Sequence, residues 1–182
     1  SREAEQMGVL MGEVKRLGGI LDEFLNLSRP ADGLNASAQD PAALVQDVAR
    51  LYAATSRERA VDLQVDCAPC GAVRCDPRKV RQVLINLVEN ALQHSPAGGT
   101  VVLALAERAG AAVFTVRDLG PGPSAQAAER AFEAGFTTRP EGTGLGLTVA
   151  RAIAHQHGGE LRLTAAAPGA LATLTLPLEP PA

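Results

Sequence analysis

The spacing of hydrophobic positions changes several times along the chain, and each change predicts an element. Over residues 1–30, Met7, Leu10, Val14, Leu17, Leu21 and Phe24 recur at alternating intervals of three and four, the seam of a coiled coil or helix bundle. Ile20, Leu25 and Leu27 widen the stripe, which suits a helix packed on more than one neighbour, and Pro30 ends it. Its partners come from another chain, from residues ahead of Ser1, or from the body of this chain. A linker, ADGLNASAQ, follows. Asp40-Pro41 then combines an N-cap with a proline in the first turn, opening a helix to about residue 57 with Leu44, Val45, Val48 and Leu51 as its buried stripe.

Beyond that helix the period falls to two. Val61, Leu63 and Val65 alternate with polar residues in VDLQVD, and AVRC after Gly71 is a second short strand. Asp76-Pro77 repeats the cap signature and opens a helix whose stripe is Val80, Val83, Leu84, Leu87, Val88, Ala91 and Leu92, stopped by the turn at 96–99. TVVLALAE and AAVFTVRD form a hairpin through Arg108-Ala-Gly110. A loop rich in Gly and Pro leads to a short helix, SAQAAERAF, then a polar segment. LGLTVARAIAHQH is a helix closed by Gly158 and Gly159, and ELRLT and ATLTLPL are the final strands.

Composition narrows the class. With 182 residues and 46% hydrophobic content, the chain can bury a core despite only 3% aromatic residues. A net charge of -3 argues against a general electrostatic grip on nucleic acid or anionic lipid, so any phosphate must be bound locally. The longest uncharged run, 163–178, has Pro168 and Gly169 at its centre and reads as two strands and a turn, not a membrane span. No signal peptide is expected, and a start at Ser-Arg suggests a piece excised from something longer. Cys67, Cys70 and Cys75 include a CxxC pair, but Pro69 and Gly71 suit a strand connection, and no fourth ligand lies near for zinc. Structural or free thiols in a reducing cytoplasm are expected.

Three glycine-bearing stretches lie between elements: DLGPG at 118–122, FEAGFTT at 132–138 and GTGLGL at 142–147. Glycines ahead of a helix let backbone N–H groups face a phosphate, although turn geometry alone also explains them. The G-x-G-x-x-G fingerprint fails because Leu147 stands at its third glycine, and no G-x-x-x-x-G-K-[ST] loop occurs.

In order, NLVENALQHS (86–95), DLGPG, FEAGFTT and GTGLGL resemble the N, G1, F and G2 boxes of the ATP-binding domain of sensor histidine kinases, in the Bergerat or GHKL superfamily. The likeness runs from about 40 to 177. Upstream, EVKRLGGILDEFLNLSRP resembles the second helix of that family's dimerisation and phosphotransfer hairpin. The resemblance implies an α+β fold: a two-layer α/β sandwich, its mixed sheet covered by about three helices, preceded by one long bundle helix. The implied organisation is 1–30 for the incomplete hairpin, 31–40 for the linker and 41–182 for the catalytic domain.

The implied cofactors are ATP or ADP with Mg²⁺. Asn86 and Asn90, four apart, share a helix face; the resemblance makes Asn90 a Mg²⁺ ligand, with Asn86 as a supporting ligand or water holder. Asp118 follows a buried strand and needs donors there; by resemblance it accepts from the exocyclic amine of adenine, which selects against GTP. Gly120 and Gly122 would let the loop approach the base, although ordinary turn geometry also explains them, and Gln93 and His94 are further expected ATP-binding residues. Residues between Phe132 and Gly146 form the ATP lid, with Thr137, Thr138 and Arg139 as phosphate contacts; Arg139 is equally readable as a solvated charge. Gly142, Thr143, Gly144, Leu145, Gly146 and Leu147 form the last glycine box. Departures from the family are Ala134-Gly135 for its frequent Pro-Phe, and Gln93 for its frequent Lys.

No histidine lies in the N-terminal helix. The chain's three, His94, His155 and His157, have structural explanations, the last two as cations favoured at a helix C-terminus. The implied activity is a protein histidine kinase whose acceptor is absent here, with a response regulator receiver domain and a second copy of itself as partners. A nucleotide-binding regulatory module is the alternative, and a serine kinase of the anti-sigma type is disfavoured by the bundle helix. The family's ATPases carry a water-activating glutamate where Asn86 stands. Glu89, about 100° from Asn90, is not expected to face the same water.

Overall fold

The computed structural model describes residues 2–28, 33–137 and 144–178, without the side chains of 23, 24 and 26–28. Pro30 and most of the linker's first residues therefore lie outside the described residues. Helix α1 (Arg2–Ser28) follows the predicted seam. Met7, Leu10, Val14, Leu17 and Leu21 are 57 to 69% exposed on it, so the body of this chain does not cover that seam. Within the stretch read as linker, β1 (Ser37–Gln39) forms and pairs antiparallel with β3 (Val73–Cys75).

Both cap signatures build as the sequence dictates. In α2 (Pro41–Glu58) Asp40 accepts from Ala42 N at 2.9 Å; in α3 (Pro77–His94) Asp76 accepts from Arg78 N at 3.1 Å and Lys79 N at 3.4 Å. One expected core residue of α2 is misplaced: Leu51 is 60% exposed. After Val48 the 3.6-residue period brings Tyr52, not Leu51, back toward the core, and then Ser56, which is buried with its hydroxyl on Ala53 O.

The remaining elements are β2 (Asp62–Cys67), β4 (Thr100–Arg108), β5 (Ala111–Asp118), α4 (Ala125–Arg130), α5 (Gly146–Gln156), β6 (Glu160–Ala165) and β7 (Ala170–Pro177). Five strands form one sheet in the order β2-β4-β5-β7-β6. Only β2 and β4 run parallel; the other pairs are antiparallel, so the sheet is mixed. The β4–β5 hairpin turns at Ala109 and Gly110, whose φ of 49° and 73° match a type I′ turn and the right-handed twist of its strands.

Alternate residues of the sheet face one layer of helices, α2, α3 and α5. Val101, Leu103, Leu105, Phe114, Val116, Leu174 and Leu176 are buried there against Leu44, Val48, Val83, Leu84, Leu87, Val88, Val149 and Ile153. Helix α3 packs against both α2 and α5. This is the expected two-layer α/β sandwich.

His157 departs from the cation reading. Its Nδ1–H donates to Ile153 O at 2.7 Å while Nε2 accepts from Asp76 N at 3.1 Å, an arrangement that needs a neutral ring. It ties the end of α5 to the cap of α3. The three cysteines are free thiols. Burial, then the charge of Asp76, pushes Cys75 up to about 11, and burial foremost raises Cys67 and Cys70, so none is an activated nucleophile.

Asp76 is 3% exposed and also accepts from Asn35 N at 3.3 Å, whereas the Asp40 cap is exposed. Asp76→Ala is expected to lower the unfolding free energy by about 2–4 kcal/mol, combining a lost cap with stranded buried donors. Asp40→Ala should lower it by about 1 kcal/mol. Urea unfolding followed by far-ultraviolet circular dichroism measures both, and equal losses would contradict the assignment.

Candidate functional site

A cavity of about 590 Å³ opens where α3, the end of β5, the loop after it and the start of α5 converge. The C-terminal half of α3 supplies one wall. Because its apolar stripe is seated on the sheet, the polar positions one turn apart on the opposite side, Asn86, Asn90 and Gln93, turn outward into the cavity. Asn86 donates from Nδ2 to Gly146 O at 3.1 Å, which links α3 to the first residue of α5. His94 closes the row, its ring Nδ1 donating to Asn90 O at 2.8 Å.

Asp118 forms the floor. It is 6% exposed at the end of β5, and Oδ1 accepts from Gly120 N at 2.9 Å and Ala170 N at 3.3 Å. Those donors offset the cost of a buried carboxylate. The loops reach that close because two positions lack a side chain. Gly169, with φ of 93°, packs its Cα side against the Asp118 carbonyl, and Gly122, with φ of 74°, packs against the Gly169 carbonyl. A Cβ at either would collide with backbone that cannot move.

The start of α5 forms the far wall. Its N-cap position, Leu145, makes no side-chain cap hydrogen bond, and the N–H groups of a helix's first turn, which have no acceptor within the helix, suit an anion. Gly144 and Gly146 line the cavity there with Leu147, and Thr137 lines it from the segment before the undescribed 138–143. Gly135 N donates to Gly144 O at 3.0 Å, drawing together the two ends of that segment.

Of the residues singled out from sequence, Asn86, Asn90, Gln93, His94, Asp118, Gly122, Thr137, Gly144, Gly146 and Leu147 converge on this cavity. Three do not line it. Gly120 lies behind Asp118 against the His94 carbonyl, Leu145 precedes the α5 wall, and Phe132 packs on the core under Arg151, 5.1 Å from its ring centroid, with its carbonyl accepting from Thr148 Oγ1 at 2.9 Å. Thr138, Arg139, Gly142 and Thr143 lie outside the described residues. Glu89, expected off the Asn90 face, nonetheless reaches the rim, since its side chain is long and exposed.

Sequence reasoning missed Pro121, Ser124, Ala127, Phe136, Leu163 and Ala170, all of which line the cavity, and Gly169 behind it. For Gly169 and Ala170 the only sequence signal is a turn. The pairing of β7 with β5, Leu171 opposite Arg117, brings them to Asp118 across more than fifty residues.

Residues 75–180 match the family described as histidine kinase-, DNA gyrase B-, and HSP90-like ATPases. The sensor histidine kinase ZraS of Klebsiella oxytoca is 33% identical over 180 residues, 97% of this chain and 39% of the relative; sporulation kinase E of Bacillus subtilis is 29% identical over 93% of this chain and 23% of the relative. The chain thus spans less than half the length of these curated relatives. Full-length ShkA in complex with AMPPNP superposes over 100% of this chain and 40% of its own, with a TM-score of 0.88 and 25% identity. Histidine kinase ThkA in complex with the response regulator protein TrrA superposes over 94% of this chain and 50% of its own, with a TM-score of 0.81 and 25% identity. The chain belongs to this ATPase family, as an ATP-binding catalytic domain of the sensor histidine kinase type.

Asp118→Ala strands two backbone donors beneath the cavity and is expected to cost about 2–4 kcal/mol of stability. Asp118→Asn keeps an oxygen for them and should cost less than half as much. Thermal unfolding of the two variants checks this; equal losses would show that the donors are not what Asp118 satisfies.

Proposed function

We propose that the chain holds ATP with Mg²⁺ in this cavity and donates the γ-phosphate to a histidine on a phosphotransfer helix, for onward transfer to an aspartate of a response regulator. The acceptor is none of the three histidines present. His94 and His157 are tied to backbone, and His155 lies on the exposed last turn of α5. The observation that carries this reading is Asp118. Its Oδ1 is taken by two backbone amides while the carboxylate lines the cavity, so the second oxygen is the acceptor for a ligand N–H. Adenine offers an exocyclic amine there; guanine offers a carbonyl, which a carboxylate repels.

Phosphates suit the opposite wall, where Gly146 and Leu147 bring the start of α5, the positive end of its dipole, to the cavity. For Mg²⁺ the fitting donors are amide oxygens, hard ligands that leave room for retained waters. Asn90 lines the cavity, and the amide nitrogen of Asn86 is committed to Gly146, which leaves its oxygen as acceptor. Bound there, Mg²⁺ would neutralise charge on the nucleotide phosphates. Thr138 and Arg139 belong to this reading as lid contacts, as do Gly142 and Thr143.

In the same reading, residues 1–30 are the second hairpin helix, 31–40 the linker and 41–182 the ATP-binding domain. The exposed α1 seam supports pairing with other hairpin helices, including those of a second copy. No described helix is long and apolar enough to cross a membrane, and a cytoplasmic setting follows from the proposed use of ATP and a response regulator.

Calorimetric titration with Mg²⁺ present should give ATP and ADP binding with GTP at least about tenfold weaker, a difference of about 1.4 kcal/mol. Asp118→Asn should weaken ATP binding, and Asn90→Ala should remove the dependence of affinity on Mg²⁺. Equal affinity for ATP and GTP would sink the adenine assignment.

Incubation of the chain alone with γ-labelled ATP should leave no acid-labile label on protein. Phosphate on His94, His155 or His157 would overturn the acceptor argument.

A further inference from the structure

Among the described residues, Gln93 Oε1 is the one buried side-chain oxygen or nitrogen without a hydrogen-bond partner. Such a group loses water on folding and gains no donor in return, so a stranded amide oxygen beside a cavity marks a place where a ligand can donate. Gln93 lines the cavity from the last turn of α3, and the residue as a whole is half-buried. Its orientation is set by Glu89. Nε2 donates to Glu89 Oε1, and the amide turned over would set its oxygen against that carboxylate. The tie is 3.5 Å long, against about 2.9 Å for an ordinary N–H···O bond, so little holds the amide and a change of rotamer carries it further into the cavity.

The place of Gln93 along α3 selects the part of a ligand it meets. At one end of this wall Asn86 is bonded to Gly146 O at the start of α5, where phosphates suit. At the other end the His94 carbonyl lies against Gly120, whose N–H donates to Asp118 at the proposed base end. Gln93 comes three residues after Asn90, about 4.5 Å further along the axis toward that end at a rise of about 1.5 Å per residue. In a nucleotide the ribose joins base to phosphates. Of the donors on ATP, the exocyclic amine is met by Asp118, and ionised phosphates carry none. The 2′- and 3′-hydroxyls of ribose remain, and an amide oxygen is a neutral acceptor for either.

We propose that Gln93 is a specificity-determining residue whose amide oxygen accepts from a ribose hydroxyl of the bound nucleotide and so favours ribonucleotides over their deoxy analogues. The inference rests on the reading of the cavity as an ATP site. A lysine, frequent at this position in the family, could not play this part, since an ammonium only donates. An analogue lacking the hydroxyl leaves the amide oxygen unpaired and is selected against for that reason.

The test is calorimetric titration of ATP, 2′-deoxyATP and 3′-deoxyATP, each with Mg²⁺, into wild type, Gln93→Met and Gln93→Glu. Wild type should bind one of the two analogues about fivefold more weakly than ATP, the loss of one neutral hydrogen bond, and that analogue identifies the hydroxyl. Gln93→Met keeps the length and removes the acceptor, so its ATP affinity should fall toward that of the analogue and the ratio should approach one. Gln93→Glu keeps an acceptor oxygen. Its charge repels the phosphates of all three nucleotides, but the ratio should persist. A merely structural role moves the three affinities together and leaves the ratio alone. Thermal unfolding without nucleotide gives a second readout: because the oxygen is stranded in the free chain, Gln93→Met should melt at or above the wild-type midpoint. Equal binding of the three nucleotides by wild type overturns the proposal. So does a ratio that survives in Gln93→Met or is lost in Gln93→Glu, or a clearly lower midpoint for Gln93→Met. Failure of wild type to bind any of the three would instead overturn the nucleotide reading, and this inference with it.

Discussion

The rotation of α3 about its own axis is the constraint on which the site depends. Seven buried side chains, Val80, Val83, Leu84, Leu87, Val88, Ala91 and Leu92, seat the helix between the sheet and its neighbours, and each Val or Leu would lose roughly 1.5–3 kcal/mol of burial if it turned outward. With the apolar stripe fixed, a 3.6-residue repeat leaves no choice about where Asn86, Glu89, Asn90 and Gln93 point. The two ends of the helix are fixed as well. At its start Asp76 caps it and His157 reaches over from α5; at its end the His94 carbonyl sits against Gly120.

The floor of the cavity is governed by a different requirement, satisfaction of a buried charge. Asp118 is tolerable at 6% exposure because two peptide N–H groups from different loops meet one of its oxygens. They can do so only where Gly120, Gly122 and Gly169 allow backbone to touch backbone. The carboxylate thus organises the loops around it before any ligand arrives, a preorganised acceptor in a polar setting that is already desolvated. The α5 wall has the opposite character, a helix start whose amides lack a side-chain cap.

Helix α1 stands apart from this economy of contacts. Its seam residues are more than half exposed, an apolar stripe too long for a solvated surface helix. The body of the domain builds its core without it, from α2, α3 and α5 on the five-stranded sheet.

What the sequence determined alone was whatever depends on local spacing. Cap signatures at Asp40-Pro41 and Asp76-Pro77, the two-residue period of the strands, and the α3 stripe all specify their elements through contacts within a few residues, and those elements formed as read. The same periodicity put Asn86 and Asn90 on one face. Leu51 was misread because one residue of drift decides between it and Tyr52, and only packing on the sheet decides drift. Likewise, nothing local ties Gly169 and Ala170 to Asp118, or His157 to the Asp76 cap. Those juxtapositions were decided by strand order and helix layering, because they join residues that meet only after the sheet has brought distant segments side by side.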